Sequence, residues 1–398
     1  MSTPPADASA LVLDGSSGPA LAVTRSLGRA GWRVIAEDGT KSALSRFASA
    51  TVTLPNPVAQ PDAYVEALAR VVARVAPSIV VPAMDATLEL AWKAVGESTH
   101  VLGGDAETVQ LSFDKLQTLQ RAEELGFPIP QTFSPSSAAE ARAAAGSLGP
   151  RCVVKPRRSY VRVGDRLVQR RHAVVESTTA LEAALTALSD PDGALPLIQE
   201  LVSGRALSVS AVISDGDVVG AAARETLSFY PVSGGTSVWK RTVALTDDGV
   251  APALELLRAV GLGGLAEIEY QVGADRVPRL MEIGARAHGW LPLAIAAGVD
   301  LPLIAAETAV GRPTSAAGEY RVGVEMRWLA GEILRLRTLL PGGAALPPGT
   351  TALDLLRTSW PPWRPGLRFD GIVRDDLGPT VSTFSRRRKR RTAAATPE

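Results

Sequence analysis

The chain has 398 residues, 46% hydrophobic and 21% charged, a composition that fits a folded globular protein and excludes a largely disordered one. Its 42 Lys+Arg offset 41 Asp+Glu, so no overall field draws it to nucleic acid or an anionic membrane. The lone Cys152 and the three histidines exclude a disulfide framework and a Cys/His-rich metal centre.

No apolar run approaches the ~18–20 residues that span a bilayer, and MSTPPADASA lacks the pattern of a secretory leader. The expectation is a protein of the reducing cytoplasm with no membrane partner. Only six of the basic residues are lysines. Since arginine serves as the generic cation here, a lysine in an apolar setting asks for a reason.

The first ~110 residues alternate strand and helix. Ala10–Leu13 reads as a strand, a helix runs from Ala20 to Ala30, and Trp32–Ala36 is the next strand. A helix over 62–75 then leads to strand Ser78–Pro82. This alternation predicts a parallel sheet covered by helices. Gly15-Ser16-Ser17-Gly18 followed by Glu37 and Asp38 has the flavour of a dinucleotide loop. Its Gly-x-x-Gly spacing is not the Gly-x-Gly-x-x-Gly of that fingerprint, which argues against a nicotinamide cofactor.

A second segment opens at Ser112-Phe113-Asp114-Lys115 with a helix to Leu125. Strand Cys152–Pro156, an arginine-rich loop and a helix near 178–188 follow. Lys155 ends an apolar strand and must send its ammonium to solvent or to an anion such as phosphate. Lys115 at a helix start is unfavourable to the helix dipole unless an anion is also there.

Strands are then expected at 197–200, 207–213 and 218–222, with a helix over 250–260. The first ends in Gln199-Glu200, where backbone groups are free to read a base edge. Ser233-Gly234-Gly235 lets backbone amides approach an anion closely, with Lys240 and Arg241 nearby. The segments 265–270 and 279–284 read as a hairpin around Gly273–Arg276. A turn centred between Asp275 and Arg276 sets Glu269 opposite Glu282, on one face and ~4.5–5.5 Å apart at Cβ. Two such carboxylates repel, and a hard divalent cation is the natural mediator. A turn one residue out of phase instead sends Glu282 to the far face.

Taken in order, Phe113-Asp114-Lys115, Val154-Lys155-Pro156, Gln199-Glu200, Ser233-Gly234-Gly235 and Met281-Glu282-Ile283 resemble the ATP-grasp superfamily. The resemblance is closest to carboxylate–amine ligases similar to the carbamoyl-phosphate synthase large chain, and it covers residues ~10–310. It implies an α/β and α+β chain in five parts. These are a Rossmann-like domain over 1–112, a lid over 113–196, a central antiparallel-sheet domain over 197–312, a C-terminal module over 313–384 and a basic disordered tail over 385–398.

The same resemblance implies roles. Lys115 and Lys155 would neutralise ATP phosphates, and Gln199, Glu200 and Val202 would line the adenine pocket. Glu269 and Glu282 would hold Mg²⁺ or Mn²⁺, and Arg286 would stabilise the transferring phosphoryl group. Ser233, Gly234, Gly235 and Lys240 would face the substrate carboxylate or the γ-phosphate. Arg224 is a candidate clamp for that carboxylate, and His288 a candidate base toward an incoming amine.

The implied reaction couples a small carboxylate to an amine with release of ADP and phosphate. The alternative is a nucleotide-binding homologue without catalysis. The chain departs from the family at Gly284, where Asn is usual, and in the loop after Lys155, where three arginines replace glycines. Family members are often dimeric, which leaves a homodimer open. The tract Arg386–Arg391 reads as part of a solvated tail, not as a nucleic-acid site.

Overall fold

The alternating start of the chain folds into a five-stranded parallel sheet. The structure, a computed structural model, describes residues 8–96, 99–104, 106–247, 249–312, 319–340, 346, 350–360 and 365–382. The basic tail, Arg386–Arg391 included, lies outside the described residues. Strands β1 (Ser9–Val12), β2 (Arg33–Glu37), β3 (Ala50–Val52), β4 (Ile79–Val81) and β5 (His100–Val101) pair in the order β3-β2-β1-β4-β5. Helices α1 (Gly18–Arg29), α2 (Pro61–Val75) and α3 (Asp85–Val95) cover it. Ser17 caps α1 by accepting from the Ala20 amide, and Pro19 sits in the first turn, where its missing N–H costs nothing.

The glycines after β1 serve that turn. The Gly15 amide donates to the Glu37 carboxylate at 2.9 Å. A Cβ on Gly15 would lie 2.4 Å from Thr40 Oγ1. Glu37, the residue that would meet a dinucleotide ribose, is therefore occupied by its own loop.

The helix expected to open at Asp114-Lys115 and run to Leu125 is present, and another precedes it. Helix α4 (Ala106–Phe113) stops, Asp114 adopts an extended conformation, and α5 (Lys115–Glu124) begins with Asp114 accepting from the Leu116 amide. Asp114 favours a cap over a helix interior because its short carboxylate competes for backbone amides.

The second sheet contains β6 (Thr132–Phe133), β7 (Cys152–Lys155), β10 (Ala173–Val175) and β11 (Leu197–Glu200), in the order β10-β7-β11-β6. Helices α6 (Ala138–Ser147) and α7 (Thr178–Leu188) pack on it around Ala141, Val154, Leu181, Leu185 and Ile198. The arginine-rich loop is itself ordered as a hairpin, β8 (Tyr160–Val163) and β9 (Arg166–Gln169). The hairpin leans on the first sheet's layer: Arg162 grips Asp62 of α2, and the Leu167 amide donates to the Val58 carbonyl at 2.8 Å.

The third sheet has seven strands. They are β12 (Arg205–Ser214), β13 (Asp217–Tyr230), β14 (Thr236–Val243), β15 (Gly264–Val272), β16 (Pro278–Gly284), β17 (Glu325–Arg327) and β18 (Arg368–Phe369). Their order is β16-β15-β12-β13-β14-β17-β18, antiparallel except for the last pair. Thus strands from the segment expected to be a separate C-terminal module complete the central sheet. Helix α8 (Val250–Val260) lies against it, with α9 (Leu291–Ala297) and α10 (Leu301–Ala309) following the hairpin. Helices α11 (Leu329–Arg337) and α12 (Ala352–Ser359) belong to the C-terminal segment.

The first and third sheets share their cores. Val12, Leu27 and Val81 pack in one cluster with Leu265, Trp290 and Leu291, and Leu11 and Leu88 in another with Val209 and Ile268. Arg25 of α1 and Asp376 form a buried pair at 2.7 Å that ties the C-terminal segment to the first helix.

Candidate functional site

The three sheets meet at a cleft, and the β15–β16 hairpin carries its carboxylates. Glu269 and Glu282 are register partners. The hairpin does not run in one phase, however. Nearer the tip, Tyr270, Gln271 and Val272 face Leu280, Arg279 and Pro278, so Met281 has no partner and forms a bulge. The bulge decides which way the acids point. Leu280 and Glu282 are two apart and would share a face in a regular strand. With Met281 inserted, Leu280 is fully buried while Glu282 and Glu269 keep 35% and 49% of their side chains accessible, toward the cleft.

Surrounding protein pushes the Glu269 carboxyl up to about 7, and the nearby charges of Glu267 and Glu282 push in the same direction. Its accessible surface is that of a cleft floor, open to water yet walled by protein. Oxygen donors so placed suit a hard cation of the Mg²⁺ type. Among the described residues no third Asp, Glu, His or Cys joins the pair, so the protein offers two ligands and Gly284 adds none.

Two lysines border the acids. Lys115 is nearly buried, donates to Ser159 Oγ at 2.7 Å and lies 3.8 Å from Glu282. Lys155 donates to the Met281 carbonyl at 2.6 Å. Burial lowers its pKa to about 8, against the pull of Glu282. His172, which sequence reasoning did not single out, stands beside them. A side chain placed at Gly234 would meet its Nε2 at 3.9 Å, so the Ser233–Gly235 turn faces it across the cleft. Burial and the Lys155 charge hold His172 below its ordinary pKa. Gly234 and Gly235 have φ of 126° and 147°, and a Cβ on Gly235 would lie 2.8 Å from the Tyr230 carbonyl. Glycine is needed there.

The chain passes from the second sheet to the third just after β11. Gln199 is 2% exposed, and its amide is spent on Thr132 Oγ1 at 2.9 Å. The Glu200 amide donates to Gln131, its carboxylate sits 3.4 Å from Arg279, and Val202 is partly buried beside it. These residues offer backbone and a carboxylate at the strand exit, but the Gln199 side chain does not face the cleft.

Several expected residues are engaged elsewhere. Arg286 is bound to Asp85 at the start of α3. Burial opposes the charge on Asp85, but the guanidinium outweighs it and holds that carboxyl below its ordinary value. Lys240 is 1% exposed and held by Asp370 at 2.7 Å and the Gly289 carbonyl at 3.0 Å, the first a counter-charge just beyond β18 that the sequence did not signal. Arg224 is 5% exposed and turned onto Glu269, Glu267 and Thr226.

His288 is 1% exposed behind them. Ser210 donates its one hydroxyl proton to the Ala266 carbonyl, so His288 Nε2, 2.7 Å away, is the donor to Ser210. Burial drops its pKa to about 4, leaving a neutral ring off the cleft surface.

Asp85, Glu89, Glu282, Phe113, Arg158 and Tyr160 line a small cavity of about 20 Å³, room for a single water. It joins the first sheet's C-terminal end to the acids. The strand order places that end at the crevice between β1 and β4, where doubly wound sheets bind ligands. That rule, applied to the loop that follows Ser78–Pro82, is the signal that finds Asp85.

Comparison with known proteins agrees with this architecture. Residues 195–332 match the family described as ATP-grasp in the biosynthetic pathway with Ter operon. The carbamoyl phosphate synthase large chain of Methanoculleus marisnigri is 28% identical over 245 residues, which is 60% of this chain and 22% of that protein. This chain thus spans about a fifth of that relative. The biotin carboxylase domain of Hydrogenobacter thermophilus 2-oxoglutarate carboxylase, solved with MgADP, ADP and bicarbonate, superposes with TM-score 0.64 at 15% identity over 80% of this chain and 73% of that one. N5-carboxyaminoimidazole synthetase of Staphylococcus aureus, solved with ADP, gives 0.64 at 13% over 83% and 84%.

Proposed function

We propose that this chain, a member of the ATP-grasp superfamily, is an ADP-forming ligase that activates a small carboxylate as an acyl phosphate and couples it to an amine. The observation that carries this reading is the convergence of Glu269, Glu282, Lys115 and Lys155 on one cleft between the second and third sheets. Glu269 and Glu282 would hold Mg²⁺, which supplies charge neutralisation for a bound triphosphate.

The residues themselves do the rest. Lys115 and Lys155 present ammonium groups already fixed by Ser159 and Met281, so little reorganisation is needed when phosphates arrive. The exit of β11 would take the base through the backbone of Glu200–Val202. The acceptor would enter beside Glu282, where the cavity, now the size of one water, widens as Arg158 and Tyr160 of the lid move apart from Asp85 and Glu89.

A carboxylate oxygen in that cavity forms a bond to the γ-phosphorus as the bond to the β-phosphate oxygen breaks. The amine nitrogen then bonds to the acyl carbon as phosphate leaves, and the amine gives up a proton. Positioning and charge carry such a transfer, with no covalent intermediate on the protein.

The test is ADP release with ATP, Mg²⁺ and panels of small carboxylates and amines. The expected result is ADP, not AMP, with at least one pair, lost in Glu282→Gln. AMP as the product, or turnover unchanged in Glu282→Gln, overturns the reading.

A further inference from the structure

The register of the central sheet places four side chains in one row across four strands. Arg224 on β13 faces Ser208 on β12, Ser208 faces Glu269 on β15, and Glu269 faces Glu282 on β16. The next row, two residues along, is Ala222, Ser210, Glu267 and Gly284. Arg224 and Glu269 thus stand two strands apart, about 10 Å between backbones. Even so, Arg224 Nη2 reaches Glu269 Oε1 at 3.1 Å and Glu267 Oε1 at 3.5 Å.

The reach is open because the residues beneath it are small. Ser208 and Ser210 are 3% and 0% exposed, and neither fills the space over β12. The guanidinium is steered from its other sides as well. Thr226 Oγ1 accepts from Nη1 at 2.6 Å, and the Trp290 ring lies 5.5 Å from the guanidinium carbon. The Trp290 indole N–H in turn donates to Glu267. Arg224 therefore occupies one oxygen of Glu269 and leaves the second for the cleft.

We infer that Arg224 is a positioning residue that reaches over Ser208 to aim the Glu269 carboxylate at the cation held opposite Glu282. The inference rests on the reading of that acid pair as a divalent-cation site. Arg224 thus acts from behind the site and does not clamp a substrate.

The experiment measures Mn²⁺ uptake in the presence of ADP by electron paramagnetic resonance, with thermal melting as the check on folding. Wild type is expected to take up Mn²⁺. Arg224→Met is expected to weaken uptake at least tenfold, and Arg224→Lys to recover part of it. Ser208→Val, which blocks the reach while leaving every charge in place, is expected to weaken uptake in the same direction, whereas Ser208→Ala leaves it as in wild type.

Uptake in folded Arg224→Met and Ser208→Val equal to wild type overturns the positioning role and leaves the acid pair standing. Should Arg224→Met not fold, Ser208→Val decides by the same measure. Wild-type protein that takes up no Mn²⁺ overturns the acid pair, and the positioning role with it.

Discussion

The Lys155 ammonium donates to the carbonyl oxygen of Met281, the unpaired residue of the β16 bulge, at 2.6 Å. The irregularity that turns Glu282 toward the cleft also supplies the acceptor that holds the lysine beside it. Burial sets the Lys155 pKa at about 8, inside the working range of pH. Nucleotide affinity is therefore expected to stay level up to about pH 8 and to weaken above it, as the ammonium loses its proton. Equilibrium dialysis with labelled ADP and Mg²⁺ checks this. Lys155→Arg, always charged, should flatten the profile. Lys155→Met should weaken binding by about 10–100-fold below pH 8, the worth of a charged hydrogen bond, with the deficit shrinking above it.

Glu37 gives a pH dependence of opposite origin. Burial first, and the Asp14 charge with it, raise its carboxyl from 4.5 to about 7 in the folded protein. Between these values the folded state keeps a proton that the unfolded state has lost, so stability contributed here falls as pH rises through that window. Glu37→Gln keeps an acceptor for the Gly15 amide without the charge. It should melt higher than wild type at pH 8 and no higher at pH 4.

The Arg25–Asp376 pair is 5% and 2% exposed, and Asp376 also accepts from Ser45 and the Arg46 amide. Asp376→Ala strands a buried guanidinium and should cost about 3–5 kcal/mol. Adding Arg25→Met should restore most of the loss. Melting curves of the two variants decide it; a double variant no better than the single one would show that the pair contributes more than the cost of its burial.

Arg162 and Asp62 join the β8–β9 hairpin to α2 with both side chains well exposed. Such a pair is worth about 0–1 kcal/mol, so Arg162→Ala should barely move the melting temperature. Its effect should appear locally, as faster hydrogen exchange over 160–169. Unchanged exchange there would mean that the Leu167–Val58 backbone bond holds the hairpin alone.

Much of this was written in the sequence. Period and punctuation give α8 at Val250–Val260 and α7 at Thr178–Leu188 residue for residue, because Gly261 and Ser177 are strong boundary residues. Hairpin arithmetic reaches the Glu269–Glu282 pairing from a turn between Asp275 and Arg276, but the pairs nearest the tip centre the turn on Asp275, and the pairing holds only because the Met281 bulge offsets that one-residue difference. The bulge, which also makes the pair point into the cleft, is not readable, since nothing local marks which residue a strand will extrude. Partners distant in sequence escaped in the same way. Lys240 meets Asp370, Arg286 meets Asp85, and Arg224 meets Glu269 over a serine. Each of these arginines and lysines looks available in sequence, because a counter-charge brought by topology leaves no local trace. The arginines after Lys155 are the same case: Arg157 is taken by Asp114 and Arg162 by Asp62.

The apolar interior has a mechanical corollary. Trp290 and Leu291 are packed with Val12 and Val81, whereas Leu181, Leu185 and Ile198 are packed mainly among themselves. The second sheet and its helices, between Pro130 and Ser203, therefore have a core of their own and are held to the rest largely by cross-ties such as Arg162–Asp62, Leu167–Val58 and Lys155–Met281, which any tilt of that unit must break.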